Sequence, residues 1–347
     1  MSDPEQLPRA VVFGCAGQRL TSEERDFFSR TSPLGFILFA RNCRDRPQVR
    51  RLVGELRAAV GRADAPVLID QEGGRVARLG SPEWRQAPAA AVFGRLATGD
   101  PIAARQAAEL NARLLAAELA ELGITVNCLP LLDMPVAGSH DVIGDRAFGG
   151  TADLVADLGD AVCRGLMAGG VLPVIKHLPG HGRAGVDSHQ ALPLVEAPRE
   201  LLEETDFAPF RALAGAPLGM TAHVVYTALD PEQPATTSRL VIDQVIRGSI
   251  GFQGLLLSDD LSMSALTGGL GERAARALAA GCDVALHCNG AAEEMATVAA
   301  AVGPLSAAAG ERWSAARARL EPPAPFDAEA ALSRLQGLLA QSGAEAS

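Results

Sequence analysis

Short apolar runs alternate with segments of helical periodicity along almost the whole chain. Eight runs of four or five mainly apolar residues are typical of strands buried on both faces. These predicted strands are 10–13, 35–39, 66–69, 124–128, 171–175, 218–221, 254–257 and 283–286. In the segments that follow them, apolar residues recur every three or four positions, which predicts helices. These predicted helices are 21–30, 46–62, 102–122, 152–168, 201–214, 240–250, 271–280 and 291–302. Capping residues stand near several helix starts: Thr21 with Glu24, Thr205 and Ser238.

Eight alternating β and α units predict an α/β fold, a single-domain (β/α)8 TIM barrel. A doubly wound sheet is usually built from fewer strands. We expect the barrel to occupy residues 1–303, and residues 304–347 to form a short helical appendage that packs on it. In the appendage, a helical pattern around Trp313 is followed by a break at Pro322 and Pro323, a second short helix and a disordered tail.

The composition indicates a globular protein and excludes several partners. Hydrophobic residues make up 48% of the 347, enough for a large core. The net charge is −10 and no basic cluster is interleaved with aromatic residues, so we expect no nucleic acid partner. The N-terminus lacks a signal sequence, and no apolar run approaches the roughly 18 residues of a membrane helix. We therefore expect a cytoplasmic protein that does not bind membranes, and we expect it to be a monomer.

Cysteine and glycine patterns bear on disulfides and cofactors. The six cysteines (15, 43, 128, 163, 282 and 288) show no CxxC spacing, which favours reduced core thiols over disulfides or a zinc site. Gly73 and Gly74 lack the spacing of a phosphate-binding loop, and no helical pattern follows Gly180 and Gly182. We expect no cofactor.

Polar residues stand at the carboxyl ends of six predicted strands, the end at which (β/α)8 barrels carry their active sites. They are Asp70, Asn127, Lys176 with His177, His223, Asp259, and His287 with Asn289. One such residue is more often a solvated loop residue or a cap than part of a site. Six strand ends that converge on one barrel mouth favour a site.

The densest polar segment is the glycine-rich run 176–189. It holds three of the chain's six histidines, Lys176, and Asp187 two residues before His189. Because imidazole is a common metal ligand, His177, His181 and His189 leave open a metal-dependent hydrolase barrel. Their spacing is loose and Lys176 would repel a cation, so this alternative is the weaker one.

Two carboxylates, Asp70 and Asp259, directly follow or end apolar strands and are expected to face the barrel mouth. Glycosidases use a carboxylate to stabilise an oxocarbenium-like transition state, and charged and polar side chains hold the sugar hydroxyls. The residues at the strand ends suit this chemistry. Spacing alone leaves Asp259 and its neighbour Asp260 as alternatives for the reacting carboxylate.

Six motifs together resemble the bacterial β-N-acetylglucosaminidases (β-hexosaminidases) of glycoside hydrolase family 3, in the single-domain, peptidoglycan-recycling form. They are Asp70-Gln-Glu-Gly-Gly-Arg75, Ile143-Gly-Asp-Arg-Ala-Phe148, Lys176-His-Leu-Pro-Gly-His-Gly182, Asp187-Ser-His189, Met220-Thr-Ala-His-Val-Val225 and Ser258-Asp-Asp-Leu-Ser-Met263. They occur in the family's order, and the resemblance covers about residues 11 to 290. The Asp-x-His motif is typical of the N-acetylglucosaminidase branch.

The resemblance implies a retaining mechanism with a covalent glycosyl-enzyme on Asp259. It implies that His189 is the general acid/base and Asp187 its partner. The adjacent carboxylate would orient the ring and favour its imidazolium form. The glycines over 180–185 would then act as a hinge that brings the acid to the nucleophile.

The resemblance also implies a set of sugar-binding residues on the barrel mouth. They are Asp70, Arg78, Arg146, Lys176 and His177. A structural ion pair is the alternative for either arginine, with Asp145 or Glu72 as partner. The roles of His181 and His223 stay open.

The expected partner is a saccharide. Aromatic residues total only 4%, which favours a compact polar pocket for one terminal sugar over an extended stacking surface, and hence exo-action. The resemblance implies release of N-acetylglucosamine from β-1,4-linked 1,6-anhydro-N-acetylmuramic acid muropeptides. Two alternatives stay open: a phosphorylase, because a histidine acid/base does not repel a phosphate acceptor, and a non-catalytic sugar-binding barrel, which the complete set of Asp259, Asp187 and His189 disfavours.

Overall fold

A computed structural model describes residues 7–340 and has a closed barrel of eight parallel strands. Around the barrel the strand order is β1, β12, β11, β9, β7, β6, β3, β2. These strands are β1 (Arg9–Phe13), β2 (Pro33–Leu38), β3 (Val67–Ile69), β6 (Val126–Asn127), β7 (Leu172–Leu178), β9 (Leu218–Thr221), β11 (Leu255–Asp260) and β12 (Val284–His287). Each overlaps one predicted strand, and the (β/α)8 prediction is confirmed.

Two small two-stranded sheets lie outside the barrel, and the sequence did not predict them. One is the antiparallel pair β4 (Gln71–Gly73) and β5 (Val76–Ala77). The other is the parallel pair β8 (Leu194–Val195) and β10 (Val225–Tyr226). Both pairs follow or flank loops that leave the carboxyl ends of barrel strands, so they shape that face of the molecule.

Helices surround the barrel. They are α1 (Ser22–Thr31), α2 (Arg46–Ala59), α3 (Ala90–Gly99), α4 (Pro101–Glu121), α5 (Ala152–Ala168), α6 (Arg199–Glu204), α7 (Ala208–Ala212), α8 (Leu270–Ala280), α9 (Ala292–Ala301), α10 (Ala307–Arg317) and α11 (Ala328–Ala340), with a π-helical segment at Val241–Ser249. Thr21 and Glu24 form the expected capping box, and the Ser238 hydroxyl accepts a hydrogen bond from the Val241 N–H. Helix α3 was not predicted, because it is short and starts without a side-chain cap.

The single helix predicted over 201–214 is wrong, because α6 and α7 are separated at residues 205–207. Pro209 has no N–H to donate to the preceding turn, so a continuous helix would lose a hydrogen bond there. Thr205 accordingly caps the carboxyl end of α6 and does not stand at a helix start as predicted. The break turns Asp206 inward, where it is 2% exposed.

The core has two layers, since alternate strand residues face opposite sides of the sheet. Val12 and Leu257 belong to the cluster inside the barrel, whereas Val11 and Leu256 belong to the larger cluster between the barrel and the helices. Residues of α10 contribute to the inner cluster and residues of α11 to the outer one. Arg312 on α10 pairs with Asp283, just before β12, so α10 lies at the amino end of the strands. The predicted tail disorder over 341–347 falls outside the described residues.

All six cysteines are free, and five of them are buried. This agrees with the prediction of reduced core thiols. No helix within residues 7–340 has both the length and the apolar character needed to cross a bilayer.

Candidate active site

A cavity of about 490 Å³ opens at the carboxyl ends of the strands. All eight side chains predicted to form the site line it. They are Asp70, Arg78, Arg146, Lys176, His177, Asp187, His189 and Asp259. The other strand-end residues do not line it: the Asn127 amide holds the backbone of Gln71, and Asn289 binds Glu294.

Two carboxylates and three cations form a buried ion network on one side of the cavity. Lys176 Nζ lies 3.0 Å from Asp70 Oδ1 and 2.7 Å from Glu72 Oε1. Arg78 Nη2 donates to Asp70 Oδ2 at 3.1 Å. Arg146 makes a two-pronged contact with Glu72 at 2.8 and 2.9 Å. Both arginines therefore lie in ion pairs and also line the cavity, while Asp145 pairs with Arg75 instead.

The charges of neighbouring side chains determine which groups of this network are ionised. Burial alone would raise the pKa of Asp70 and Glu72, but Lys176 and the two arginines bring the pKa of both carboxyls below their usual values. Burial would lower the pKa of Lys176, and the two carboxylates raise it well above its usual value. All three groups are charged at neutral pH and present fixed donors and acceptors to a polyhydroxylated ligand.

Lys176 is the only lysine in the chain, a signal that the sequence offered and our prediction did not use. Arginine carries every other basic charge. A compact ammonium fits between two carboxylates where a planar guanidinium would need more room. The chain's single lysine therefore stands at the centre of the network.

Replacement of Lys176 by methionine is expected to lower the free energy of unfolding by about 3–5 kcal/mol, because Asp70 and Glu72 lose a shared buried counter-ion. Chemical denaturation measures the loss. Arg105→Met is the matched control: Arg105 also bridges two carboxylates, Asp157 and Asp160, but is 47% exposed, so its loss is expected to stay below about 1 kcal/mol. Equal losses would contradict a buried network.

Asp133 is a buried partner of His177 that the sequence analysis missed. After β6 the chain continues beside β7, where Leu131 pairs with Lys176, and this brings Asp133 to His177. Its fully buried carboxylate lies 2.7 Å from His177 Nδ1 and accepts the N–H of His177 and of His181. The signal was an acid at the end of an apolar run, as at Asp70, but the run 129–132 lay beyond the predicted strand.

Asp133 fixes the tautomer of His177. Burial opposes ionisation of Asp133, but His177, His181 and the backbone hydrogen bonds lower its pKa to about 2. An ionised carboxylate only accepts hydrogen bonds, so His177 Nδ1 carries a proton. The other ring nitrogen, Nε2, is then the one left for a ligand in the cavity.

Asp133→Asn is expected to reduce stability in a pH-dependent way. The pKa of Asp133 is about 2 in the folded protein, below the usual value of an aspartic acid, so its contribution to stability is full above about pH 5 and disappears as the pH falls towards 2. A shift of this size corresponds to about 2 kcal/mol. Urea unfolding of both proteins between pH 7 and pH 3 measures it. A difference in stability that grows on acidification would contradict this assignment.

Asp259 and Asp260 at the end of β11 have different surroundings. The Asp260 carboxylate accepts hydrogen bonds from the Ser262 N–H and hydroxyl and from the Cys288 N–H. Asp259 Oδ1 accepts the Asp260 N–H at 2.8 Å, and within residues 7–340 its Oδ2 has no hydrogen bond. Asp259 therefore has the free carboxylate oxygen that a nucleophile requires.

The environment of Asp259 keeps it ionised. Burial would raise its pKa, but His177, His223 and the Asp260 N–H lower it below the usual value. His223 is fully buried; its Nδ1 lies 2.7 Å from Thr236 Oγ1 and its Nε2 3.0 Å from the Asp260 carbonyl oxygen. Burial lowers the pKa of His223, so the ring is neutral and Nε2–H holds the backbone beside Asp259.

Asp187 and His189 form a hydrogen-bonded pair at the rim of the cavity. Asp187 Oδ1 lies 2.8 Å from His189 Nδ1 and accepts the His189 N–H at 2.9 Å. Burial opposes ionisation of Asp187, yet these hydrogen bonds lower its pKa. With Nδ1 oriented by the carboxylate, Nε2 of the His189 ring, which is 64% exposed, is available to exchange a proton.

His181 is buried and bonded within the protein, whereas the His189 ring is exposed. Its Nε2 lies 3.0 Å from Ser188 Oγ, and its N–H donates to Asp133. Burial lowers the pKa of His181 to about 4, so the ring is neutral. These contacts are those of a side chain that fixes the loop. Within residues 7–340, no three His, Cys, Asp or Glu side chains are grouped as metal ligands would be.

Comparisons with known proteins agree on one family. Residues 6–320 match the model of the glycosyl hydrolase family 3 N terminal domain. A beta-hexosaminidase from Alkalilimnicola ehrlichii is 40% identical over 283 residues, which are 80% of each chain.

Solved structures extend this similarity to three dimensions. NagZ from Neisseria gonorrhoeae, in complex with N-trifluoroacetyl-D-glucosamine, superposes with a TM-score of 0.85 at 34% identity over 99% of this chain and 100% of that one. A family 3 beta-N-acetylglucosaminidase from Paenibacillus gives a TM-score of 0.78 at 33% identity over 97% of this chain. The present chain spans 62% of that protein's length.

Proposed function

The chain belongs to glycoside hydrolase family 3, and from this premise we propose that it is a retaining exo-β-N-acetylglucosaminidase acting on peptidoglycan fragments. That it is a glycoside hydrolase follows from the family and from its β-hexosaminidase relatives. The finer proposal concerns the linkage, the sugar and the residues that react. The observation that carries it is the placement of Asp259, with one free carboxylate oxygen, in the same cavity as the Asp187–His189 pair.

In the first chemical step, Asp259 Oδ2 attacks the anomeric carbon while the bond to the leaving oxygen breaks. His189 donates its Nε2 proton to that oxygen, and Asp187 stabilises the imidazolium beforehand. The hydrogen bond from the Asp260 N–H to Asp259 Oδ1 keeps the carboxylate in one orientation. The products of this step are a covalent glycosyl-enzyme and the free aglycone.

In the second step, His189 acts as a base and takes a proton from water, and the water oxygen attacks the anomeric carbon. The bond to Asp259 breaks, and the sugar leaves with its original β configuration. One imidazole can serve in both steps, because the nitrogen that gives up its proton in the first step is free to accept one in the second.

The buried ion network is proposed to hold the terminal sugar. Asp70 accepts hydrogen bonds from hydroxyls, while Lys176, Arg78 and Arg146 donate them, and His177, whose Nδ1 is bonded to Asp133, lines the same space. These groups are rigid because each is already bonded to another member of the network or to Asp133. A site with fixed polar partners rejects sugars whose hydroxyls do not match.

The proposed natural substrate is N-acetylglucosamine β-1,4-linked to 1,6-anhydro-N-acetylmuramic acid with its peptide. The support is the similarity to beta-hexosaminidases and to NagZ. Such a substrate would place the protein in peptidoglycan recycling in the cytoplasm.

Hydrolysis of a panel of aryl β-glycosides tests the proposal. We expect turnover of the N-acetylglucosaminide and at most weak turnover of the matched glucoside and xyloside. The same assay with and without phosphate, followed by identification of the product, separates hydrolysis from phosphorolysis: free N-acetylglucosamine in both conditions supports the proposal. A preference for the glucoside, or a sugar phosphate as main product, would overturn it.

A further inference from the structure

The loop that carries Asp187 and His189 is attached to the barrel at Arg183. Arg183 Nε donates to Asp206 Oδ2 at 2.6 Å, and its Nη2 donates to Thr205 Oγ1 at 3.0 Å. Thr205 Oγ1 in turn lies 2.7 Å from Asp206 Oδ2. The Asp206 side chain is only 2% exposed, so its ion pair with Arg183 is shielded from solvent. The break between α6 and α7 is what places both acceptors under the loop.

The part of the loop before Arg183 is fixed by packing. Residues 180–182 are buried, and a Cβ on Gly182 would lie 1.9 Å from the Met134 carbonyl oxygen. The Tyr226 hydroxyl, which belongs to the chain's only tyrosine, donates to the Gly180 carbonyl oxygen. Within the hinge predicted over 180–185, residues 180–182 are therefore closely packed and Gly182 has no room for a side chain.

The part of the loop after Arg183 has fewer attachments. Gly185 has open space around its Cβ position, and Val186 is 41% exposed. Ala184 is buried and its carbonyl oxygen accepts the His140 N–H; after it, the next contacts with the rest of the protein are at Ser188, whose carbonyl oxygen accepts the Ala265 N–H and whose hydroxyl meets His181. His189 thus lies six residues beyond Arg183, and the Arg183 contacts are the last ion pair before it.

We propose that Arg183 is a positioning residue for the acid/base: beside the buried Ala184, its contacts with Asp206 and Thr205 set the point from which the loop 185–190 reaches the cavity, and so the place of His189 over the leaving oxygen. The proposal rests on the proposed role of His189 and deepens it. A displacement of about 1 Å in a catalytic group is enough to cost about 100-fold in rate, so a loop anchored elsewhere would protonate the leaving group poorly.

The consequence is specific to the leaving group. Aryl leaving groups of low pKa depart without proton donation, whereas a sugar hydroxyl needs it. Loss of the Arg183 contacts is therefore expected to lower kcat/KM about tenfold or more for poor leaving groups and less than about twofold for a dinitrophenyl glycoside. A merely structural role would lower the rate for all leaving groups alike.

The test is a leaving-group series of aryl N-acetyl-β-glucosaminides on the full chain and four variants. Arg183→Ala removes the anchor but leaves Asp206 buried without its cation, while Arg183→Ala/Asp206→Ala removes both charges. If the anchor positions His189, both variants show the same steeper dependence of kcat/KM on leaving-group pKa. If the effect of Arg183→Ala comes instead from the unpaired charge of Asp206, the double variant regains the wild-type dependence, and the proposal is wrong.

Two further variants make the outcomes distinguishable. Arg199→Ala breaks an Arg–Glu pair on α6 that touches no loop residue, at 2.7 Å between Nε and Glu203 Oε1, and is expected to match the wild type. His189→Ala tests the proposed function itself. A steeper dependence for His189→Ala together with a wild-type dependence for Arg183→Ala overturns the positioning role alone. A wild-type dependence for His189→Ala overturns the acid/base assignment on which it rests.

Discussion

Replacement of Asp259 by alanine is expected to lower kcat roughly 10⁴- to 10⁶-fold, the loss typical of removing a covalent nucleophile. The carboxylate is half-buried in the cavity, is ionised and, within residues 7–340, accepts a hydrogen bond on one oxygen only, and its removal leaves no group at that position to form the glycosyl-enzyme. Steady-state kinetics on an activated aryl N-acetylglucosaminide measure the loss. Azide should restore turnover and give the α-glycosyl azide, because a small anion can occupy the space of the missing carboxylate.

Asp260 is the matched control for Asp259, since it is the same residue type one position later. Its carboxylate already accepts hydrogen bonds from Ser262 and Cys288, so Asp260→Asn is expected to lower kcat by about tenfold at most. Mass spectrometry after treatment with a fluorinated N-acetylglucosaminyl substrate that slows the second step should find the sugar on Asp259. A label on Asp260, or no covalent label at all, would sink the nucleophile assignment.

His189→Ala is expected to lower kcat/KM about 10²- to 10⁴-fold for substrates with a sugar leaving group, the range for loss of a general acid. For a dinitrophenyl glycoside, kcat/KM is expected to change little, because this ratio reports the first step and that leaving group needs no proton. The comparison uses a β-1,4-linked N-acetylglucosaminyl disaccharide and the aryl glycoside with the same enzyme preparations.

Asp187→Asn is the companion variant. The amide keeps the size of the side chain but no longer carries the charge that stabilises the imidazolium, so the same leaving-group pattern is expected with a smaller loss. Equal losses for both substrates in His189→Ala would remove His189 from the role of acid. A larger loss for Asp187→Asn than for His189→Ala would reverse the order of the two residues in the mechanism.

The sequence was sufficient to predict the barrel and to predict that the cavity lies at the carboxyl ends of its strands. Consecutive apolar residues ended by Asp70, Lys176 and Asp259 mark buried parallel strands and the point where each strand reaches solvent. Local sequence suffices here, because a strand buried on both faces must be apolar and its exit must be polar. The six motifs then identify which of these polar residues match residues of glycoside hydrolase family 3.

Other features depend on contacts distant in sequence and were missed or misjudged. Asp133 meets His177 only because the segment after β6 runs beside β7, 44 residues away along the chain. Asp206, which follows the end of α6, binds Arg183, 23 residues earlier in the chain. Helix α3 lacks the cap that would have revealed it, and it packs on α4.

The sequence by itself determined the (β/α)8 architecture, the family and the set of side chains at the barrel mouth, because these follow from periodicity and from motifs of adjacent residues. Only the tertiary structure decided which of those side chains bind one another and which atoms stay available to a ligand. It places Lys176 between Asp70 and Glu72. Within the described part of the chain, it leaves one oxygen of Asp259 without a hydrogen bond, whereas both oxygens of Asp260 accept hydrogen bonds from Ser262 and Cys288. It also pairs Arg183, on the loop of His189, with Asp206. The physical reason is that protonation and orientation depend on distances across the barrel, and these exist only once the strands have closed.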